Sequence, residues 1–418
     1  MLCNSAVLKV ASRCNLNCSY CYMYNMGDES FKLQPKLMSE SVVTALIQKV
    51  KNHLLKYESD RFSFIFHGGE PMLAPPSWYE FFDAEVQRIL KPVGITADYY
   101  MQTNATLVDD EWCRVFGKLD IRPGFSMDGT RASHDTYRLD HAGRGSYESV
   151  VKGIQTYQRH FHGAAVILVL NIDEDPIEIY EHIKSLKINK LSVLLPDGHY
   201  ENLPEGLHVD DELSQRGTRY GDWLIRLYDH WTSDPDIDSK PGITLFESLA
   251  RMILGYEKNG NELYGKGVND VLVVETNGSI ETVDVLRICG ESFTRNKLNV
   301  KTNELDDLFT SPLAQMYYHS HHKLCATCQS CPIESVCGGG YLPHRYSETN
   351  GFNNPSIYCR DIMKIITHMQ NHIFSHFPEE ALEDMNIHLL EEERVMEQIF
   401  QQLPLQLSRH SYQYLEAF

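Results

Sequence analysis

The chain of 418 residues lacks a long apolar run, an excess of positive charge and a phosphate loop. No window reaches the roughly 18 unbroken apolar residues of a membrane-spanning helix. Met1 to Ser12 holds only short apolar stretches, broken by Asn4, Ser5 and Lys9, and has no basic start of a secretory signal. Lys+Arg is 38 against Asp+Glu 57, a formal charge of −19. That balance excludes the broad positive face that nucleic acid or an anionic membrane needs, so neither is expected as a partner. Without a Gly-x-x-x-x-Gly-Lys motif, ATP use is disfavoured. Low-complexity segments are absent too.

Thiols are plentiful. The 11 cysteines are an odd number and cannot all pair as disulfides. With no signal segment, the expected setting is the reducing cytoplasm, where clustered thiols mean metal or catalysis.

The first 195 residues or so alternate short apolar runs with amphipathic stretches. Strands are expected at 6–11, 62–66, 97–101, 124–127, 164–170 and 191–195. Helices are expected at 39–56, 77–90, 109–116, 146–161 and 177–186, with Ser39 capping the first. Repeated βα units imply a parallel sheet, open or barrel-like, with ligands at the C-terminal ends of its strands. Beyond it, 208–233 reads as a longer helix. Asn277-Gly278 between two apolar runs, 271–276 and 279–285, predicts a hairpin. The stretch 325–359 is turn-rich and cysteine-dense, and 362–374 and 380–402 read as helices.

Cys14, Cys18 and Cys21 form C-x3-C-x2-C directly after the first strand. Three thiolates on one tight loop can hold three irons of a [4Fe–4S] cluster, which normally takes four. The remaining iron is then an open coordination site. Zinc and unliganded thiols are the alternatives, although zinc loops usually show paired C-x2-C halves. After the second strand comes Phe66-His-Gly-Gly-Glu-Pro71, where glycines permit close backbone approach and Glu70 can accept from an ammonium group. Gln102-Thr-Asn104 follows the third strand and Ser126-Met-Asp-Gly129 the fourth, with Arg138 beyond. An arginine fork suits carboxylate recognition. Turn formation, capping and an ordinary ion pair are the plain alternatives for Glu70, Ser126 and Arg138.

Cys325, Cys328, Cys331 and Cys337 form C-x2-C-x2-C-x5-C, followed by three glycines and, 22 positions after Cys337, by Cys359. Four thiolates suit either a closed iron–sulfur cluster or structural zinc. Cys3 and Cys113 read as small apolar fillers. His319, His321 and His322 show no ligand spacing and read as a solvated helix end.

Ser12 to Tyr22 resembles the signature of radical S-adenosylmethionine (SAM) enzymes. The resemblance implies that Cys14, Cys18 and Cys21 hold a [4Fe–4S] cluster whose open iron chelates SAM. Reductive cleavage then yields a 5′-deoxyadenosyl radical that abstracts a substrate hydrogen. It further implies that Tyr20 lies near the adenine. Gly68, Gly69 and Glu70 would hold the methionine amino group, and Ser126 and Arg138 the carboxylate. The cysteines 328, 331, 337 and 359 resemble the SPASM extension of peptide-modifying members, implying at least one auxiliary [4Fe–4S] cluster. Tyr341 and Val283 stand where such proteins carry further cysteines, so a second auxiliary site in its usual form is not expected. Cys289 and Cys325 are spare thiols that alone do not complete it. Asp284, placed on a strand face with Ile280 and Thr282 by period two, matches an aspartate proposed as a substrate base in sulfatase-maturing relatives. An ion-paired structural carboxylate is the alternative.

The stretch Cys337-Gly-Gly-Gly-Tyr-Leu-Pro-His-Arg-Tyr-Ser, with Asn350 to Cys359, resembles the Xye/Grr/Fxs-type maturases, which form three-residue cyclophanes in ribosomal peptides. His344 and Arg345 there either order the cluster loop, contact peptide or pack. The fold so implied is α/β: a partial (β/α)6 TIM-like barrel, a small cysteine-rich SPASM-type domain and C-terminal helices. The expected boundaries are 1–207, 208–260 (bridging helices), 261–361 and 362–418. The expected function is a carbon–carbon crosslink in a precursor peptide, with a flavodoxin- or ferredoxin-type reductant. Thioether formation, epimerisation and sulfatase maturation are rivals within the class. A non-catalytic iron–sulfur electron carrier or a zinc-stabilised binding protein is the rival outside it. Only one strand precedes Cys14, so leader recognition is expected in the main body or a separate protein.

Overall fold

A computed structural model describes residues 1–208, 217–257, 259–385, 387–391 and 394–395. The strands are β1 (Ser5–Ala11), β2 (Arg61–Gly68), β3 (Thr96–Thr103), β4 (Ile121–Ser126), β5 (Ala165–Val169), β6 (Lys190–Leu194), β7 (Gly242–Ile243), β8 (Val271–Val274) and β9 (Ile280–Glu281). The helices are α1 (Glu40–Lys56), α2 (Pro76–Ile89), α3 (Asp110–Leu119), α4 (Arg131–Tyr137), α5 (Tyr147–His160), α6 (Pro176–Ser185) and α7 (Arg219–Ser233). They continue as α8 (Thr244–Ile253), α9 (Pro312–Tyr318), α10 (Ala326–Gln329), α11 (Glu334–Cys337), α12 (Cys359–Phe374) and α13 (Glu379–Asp384). No described helix is long and apolar enough to cross a membrane.

Two compact units divide the chain. The first takes Met1–Val169, Ile183–Leu194 and Asp270–Tyr318; the second takes Leu170–His182, Leu195–Asn269 and His319–Phe418. In the first unit the sheet order is β6-β5-β4-β3-β2-β1-β8-β9. Every pairing from β6 through β1 to β8 is parallel, and β9 returns antiparallel to β8. The expected parallel βα sheet is thus present.

Its core follows from the apolar patterning. Phe62, Phe64 and Phe66 alternate along one face of β2 and are buried. The Phe64 and Phe66 rings meet Phe82, Trp78 and Tyr79 of α2 edge to face at 5.0 to 6.0 Å. On α1 the buried stripe is Val42, Val43, Leu46, Ile47 and Val50. Asp109 caps α3 by accepting from the Trp112 amide at 2.9 Å. Ser39 precedes α1, but its hydroxyl pairs with Ser41 and leaves the helix amides alone.

Two expectations change. The Asn277-Gly278 turn joins β8 to β9, with Gly278 at φ +88 and its amide on the Glu275 carbonyl. The second strand stops at Glu281, however, and Asp284–Cys289 is a 3-10 helix. Asp284 therefore does not extend a strand face with Ile280. The turn swings Arg287 inward onto Glu275 and Glu281, a buried pairing that no local pattern encodes. The helix expected from 208 begins at Arg219 among the described residues, and 209–216 lie outside them. Of the helix expected at 380–402, Glu379–Asp384 is seen, and most of the remainder lies outside the described residues.

Candidate active site

β1 ends at Ala11, and the loop after it carries Cys14, Cys18 and Cys21, all half-buried. The loop is tied to itself through the Cys21 amide on the Cys18 carbonyl at 3.0 Å and the Asn25 amide on the Cys21 carbonyl at 2.8 Å. Leu16 N–H donates to the Cys14 sulfur at 3.4 Å, and the Asn104 amide donates to it at 3.7 Å. Burial pushes the Cys14 thiol up to about 12, with Glu70 adding to it, and burial pushes Cys21 up to about 11. Such thiols stay protonated at neutral pH unless a cation binds them.

The close approach that Gly68 and Gly69 permit is to this loop's own backbone. Gly68 sits at φ +131, where a Cβ would lie 2.2 Å from the Ala11 carbonyl oxygen. At Gly69 it would lie 2.3 Å from that of Arg13. The Gly69 and Glu70 amides donate to those two oxygens at 2.8 and 3.0 Å. Glu70 is fully buried: one oxygen accepts from Met72 N–H and the Thr103 hydroxyl, the other from Asn104 N–H, at 2.8 to 3.0 Å. A carboxylate offers about four acceptor sites, so about one remains. Burial pushes Glu70 up to about 7.

Ser126 accepts from Gln102 at 2.7 Å. Arg138 is buried and forks onto Asp128 at 2.7 and 3.2 Å. It lies over the Tyr20 ring, 5.4 Å from its centroid, and also hydrogen-bonds the Cys18 thiol. Tyr20 donates its hydroxyl to Asp128 at 2.5 Å. Tyr20, Ser126 and Arg138 thus come from separate elements, and the Tyr20–Arg138–Asp128 group sits against the cysteine loop.

A second cluster occupies the same unit. Lys9 on β1 pairs across from His67 on β2 and is fully buried. Its ammonium contacts Asp284 and lies 3.2 Å from His67 Nδ1. Tyr22 donates to the same Asp284 oxygen at 2.6 Å. Burial favours a neutral Asp284, but the Lys9 charge and the Lys9 and Tyr22 hydrogen bonds outweigh it and hold this carboxyl well below the usual range. His67 is pushed down to about 4 by burial and Lys9, so it is neutral and accepts from Lys9. Beneath the hairpin, Arg287 donates to Glu275 at 2.6 Å and Glu281 at 3.1 Å, all three fully buried.

The second unit gathers four of the remaining thiols. Cys328, Cys331, Cys337 and Cys359 line one recess, together with Thr327, Ile333, Glu334, Gly339 and Met363. Cys337 ends α11 and leads into Gly338, Gly339 and Gly340, all at positive φ. Cys359 opens α12. Burial pushes Cys337 up to about 12 and Cys359 well above its ordinary value. Cys325 hydrogen-bonds Cys328 but does not line the recess. Cys289 belongs to the first unit and Cys325 to the second. Cys3 and Cys113 are buried, and the Cys3 thiol donates to backbone carbonyls at 3.0 and 2.9 Å. His321 lies between the Gly338 and Asn261 carbonyls.

Residues 8–186 match the profile of the Radical SAM superfamily, a span that holds the three-cysteine loop, Glu70, Ser126 and Arg138. These residues form a radical SAM domain. The chain is 28% identical over 385 residues to the serine-type anaerobic sulfatase-maturating enzyme of Bacteroides thetaiotaomicron, covering 87% of this chain and 88% of that one. It is 26% identical over 364 residues to the cysteine-type anaerobic sulfatase-maturating enzyme of Clostridium perfringens strain 13, covering 85% and 93%. Among solved structures, native anSMEcpe with bound AdoMet superposes with a TM-score of 0.72 at 22% identity, covering 88% of this chain and 99% of that one. Streptococcus suis SuiB superposes at 0.55 with 16% identity, covering 86% and 77%.

The radical SAM domain fits its cofactors by donor chemistry. Three raised thiols share one loop beside a buried carboxylate with spare acceptor capacity, which suits a cation-bearing group and an ammonium. In the second unit, four thiols face one recess. Among the described residues no three His, Cys, Asp or Glu side chains are grouped to hold a single metal ion. Four thiols facing one recess suit either a closed iron–sulfur cluster or a structural zinc.

Glu70 supplies a pH test of the radical SAM site. Only its ionised form could pair with an ammonium, and burial pushes its pKa up to about 7. SAM affinity, measured by equilibrium dialysis, should therefore rise as pH increases through about 7. Glu70→Gln should weaken binding about tenfold or more and flatten that rise. An unchanged pH profile in the variant would remove Glu70 from the amino-group site.

Sequence reasoning missed Lys9, Tyr22, His67, Glu275, Glu281 and Arg287. A usable signal existed for Lys9: a lysine within Ala6-Val-Leu-Lys-Val-Ala11 must be paired if that strand is buried.

Proposed function

We propose that the protein is a radical SAM maturase of a ribosomally made precursor peptide. It joins an aromatic ring carbon to a side-chain β-carbon two residues later and so closes a cyclophane. The observation that carries this reading is the Lys9–Asp284–Tyr22–His67 cluster in the same unit as the three-cysteine loop. A radical domain that also holds an ionised, oriented carboxylate can remove both a hydrogen atom and a proton. A four-thiol recess among the described residues, with Val283 and Tyr341 in place of further cysteines, supports the crosslinking type over relatives with two auxiliary sites.

Cys14, Cys18 and Cys21 would hold the open-site cluster, with Glu70, Ser126, Arg138 and Tyr20 around SAM. When bound, that group supplies a radical that removes one hydrogen atom from the peptide β-carbon. Cys328, Cys331, Cys337 and Cys359 would hold the auxiliary cluster, which supplies an electron acceptor. Asp284 accepts the ring proton at the carboxylate that Lys9 and Tyr22 hold in place. Hydrogen atom, proton and electron together leave the peptide two hydrogens lighter. A flavodoxin- or ferredoxin-type protein serves as reductant.

Anaerobically reconstituted protein should convert SAM to 5′-deoxyadenosine under reduction. Failure to do so would leave an electron carrier or a zinc-stabilised binding protein. Iron counting should give about eight irons per chain for two four-iron sites. A value near four with bound zinc would assign the second site to zinc.

Sulfatase maturation is the second reading, favoured by the names of the relatives at 28% and 26% identity. It leaves an aldehyde on the substrate, which a hydrazide reagent captures. A crosslinked peptide offers none, so hydrazide labelling of the product separates the two.

A further inference from the structure

The second unit buries a guanidinium beside the four-cysteine recess. Arg345 is only 1% exposed. It donates from Nη1 to the Ser320 carbonyl at 2.8 Å, and from Nη2 to the carbonyls of Lys323 and Phe352 at 2.5 and 3.0 Å. Those carbonyls are neutral. Nε is buried and has no partner among the described residues. Burial disfavours the charge of the guanidinium, and the neighbouring sulfurs of Cys328, Cys325 and Cys337 are the groups whose ionised forms would most favour it. It also packs on the turn after Cys337: a Cβ added at Gly339 would sit 3.7 Å from Nη1.

A buried charge with only neutral carbonyl partners is costly unless something opposes it. Four thiolates on a cluster are that opposing charge, and net charge and hydrogen bonding near the sulfurs set a cluster's potential. The geometry points to Arg345 as the fixed counter-charge of the Cys328/Cys331/Cys337/Cys359 site, holding the reduction potential of a cluster there above what the four thiolates alone would set. This rests on the iron–sulfur reading of that site. Arg345 touches no substrate here; it is a positioning residue acting through the cluster. Its carbonyl bonds lock the fork in place, which makes the charge part of the fold.

The test uses the full chain carrying Cys14→Ala, Cys18→Ala and Cys21→Ala, so that only the second site reports. Its potential is followed by redox titration with electron paramagnetic resonance. Arg345→Gln should lower the equilibrium constant for reduction at least tenfold, about 59 mV for one electron, with iron content unchanged. Arg345→Lys keeps the charge and should stay within about threefold of the parent. If the glutamine variant does not fold, the lysine variant decides alone: a tenfold drop with iron retained overturns the proposal. An intact cluster whose potential ignores Arg345→Gln also overturns it. Zinc in place of iron in the triple-alanine parent is read first and overturns the cluster reading together with the proposal.

Discussion

Alanine at Cys14, Cys18 and Cys21 together should abolish reductive SAM cleavage, lowering 5′-deoxyadenosine by about a thousandfold or more. The three thiols share one loop and act as a unit, so each single replacement should cost nearly as much as all three. The fold should survive. The cysteines are half-buried, and the turn is held by backbone bonds between Cys21 and Cys18 and between Asn25 and Cys21. Thermal melting checks that, while iron counting should fall by about four per chain. Cleavage retained in the triple variant would show that the open site lies elsewhere.

Asp284→Asn should leave SAM cleavage intact and lower crosslinked product by about a hundredfold or more, the usual worth of a positioned base. The reason is local. Asp284 is held ionised by Lys9 and Tyr22, while asparagine keeps the shape and loses the charge and the basic oxygen. The substitution also leaves Lys9 buried without its counter-ion, which typically costs about 3–5 kcal/mol. Stability must therefore be measured beside turnover. The carboxyl's pKa is depressed in the fold, so its stabilising effect is complete above the unfolded value of about 3.9 and is lost as pH falls below it. The asparagine variant should accordingly lose less stability than wild type on acidification. Normal amounts of product from this variant would remove Asp284 as the base.

The legible part of the molecule was the part written in short-range pattern. Phe62, Phe64 and Phe66 alternate, so β2 could be placed within a few residues. The Cys14 loop and the Cys328–Cys337 block are local spacings, and the structure brings Cys359 to the same recess by opening α12 there. Spacing could not rank Cys325, which shares the C-x2-C rhythm and sits beside Cys328 without lining the recess itself. The Lys9–Asp284 cluster was only half legible. Lys9 and Asp284 lie 275 positions apart and meet because β1 and β8 are neighbours in the sheet. Period two carried the predicted strand past Glu281, since no local signal marks where Arg287 must turn inward to two carboxylates.

The most direct test is tandem mass spectrometry of a small precursor peptide encoded beside this gene and co-expressed with it. The expected product is two hydrogens lighter than the precursor. The loss should map to a tripeptide with an aromatic first residue, and that tripeptide should resist fragmentation between its ends. An unmodified peptide, or a loss confined to one serine or cysteine that then reacts with hydrazide, would contradict cyclophane formation.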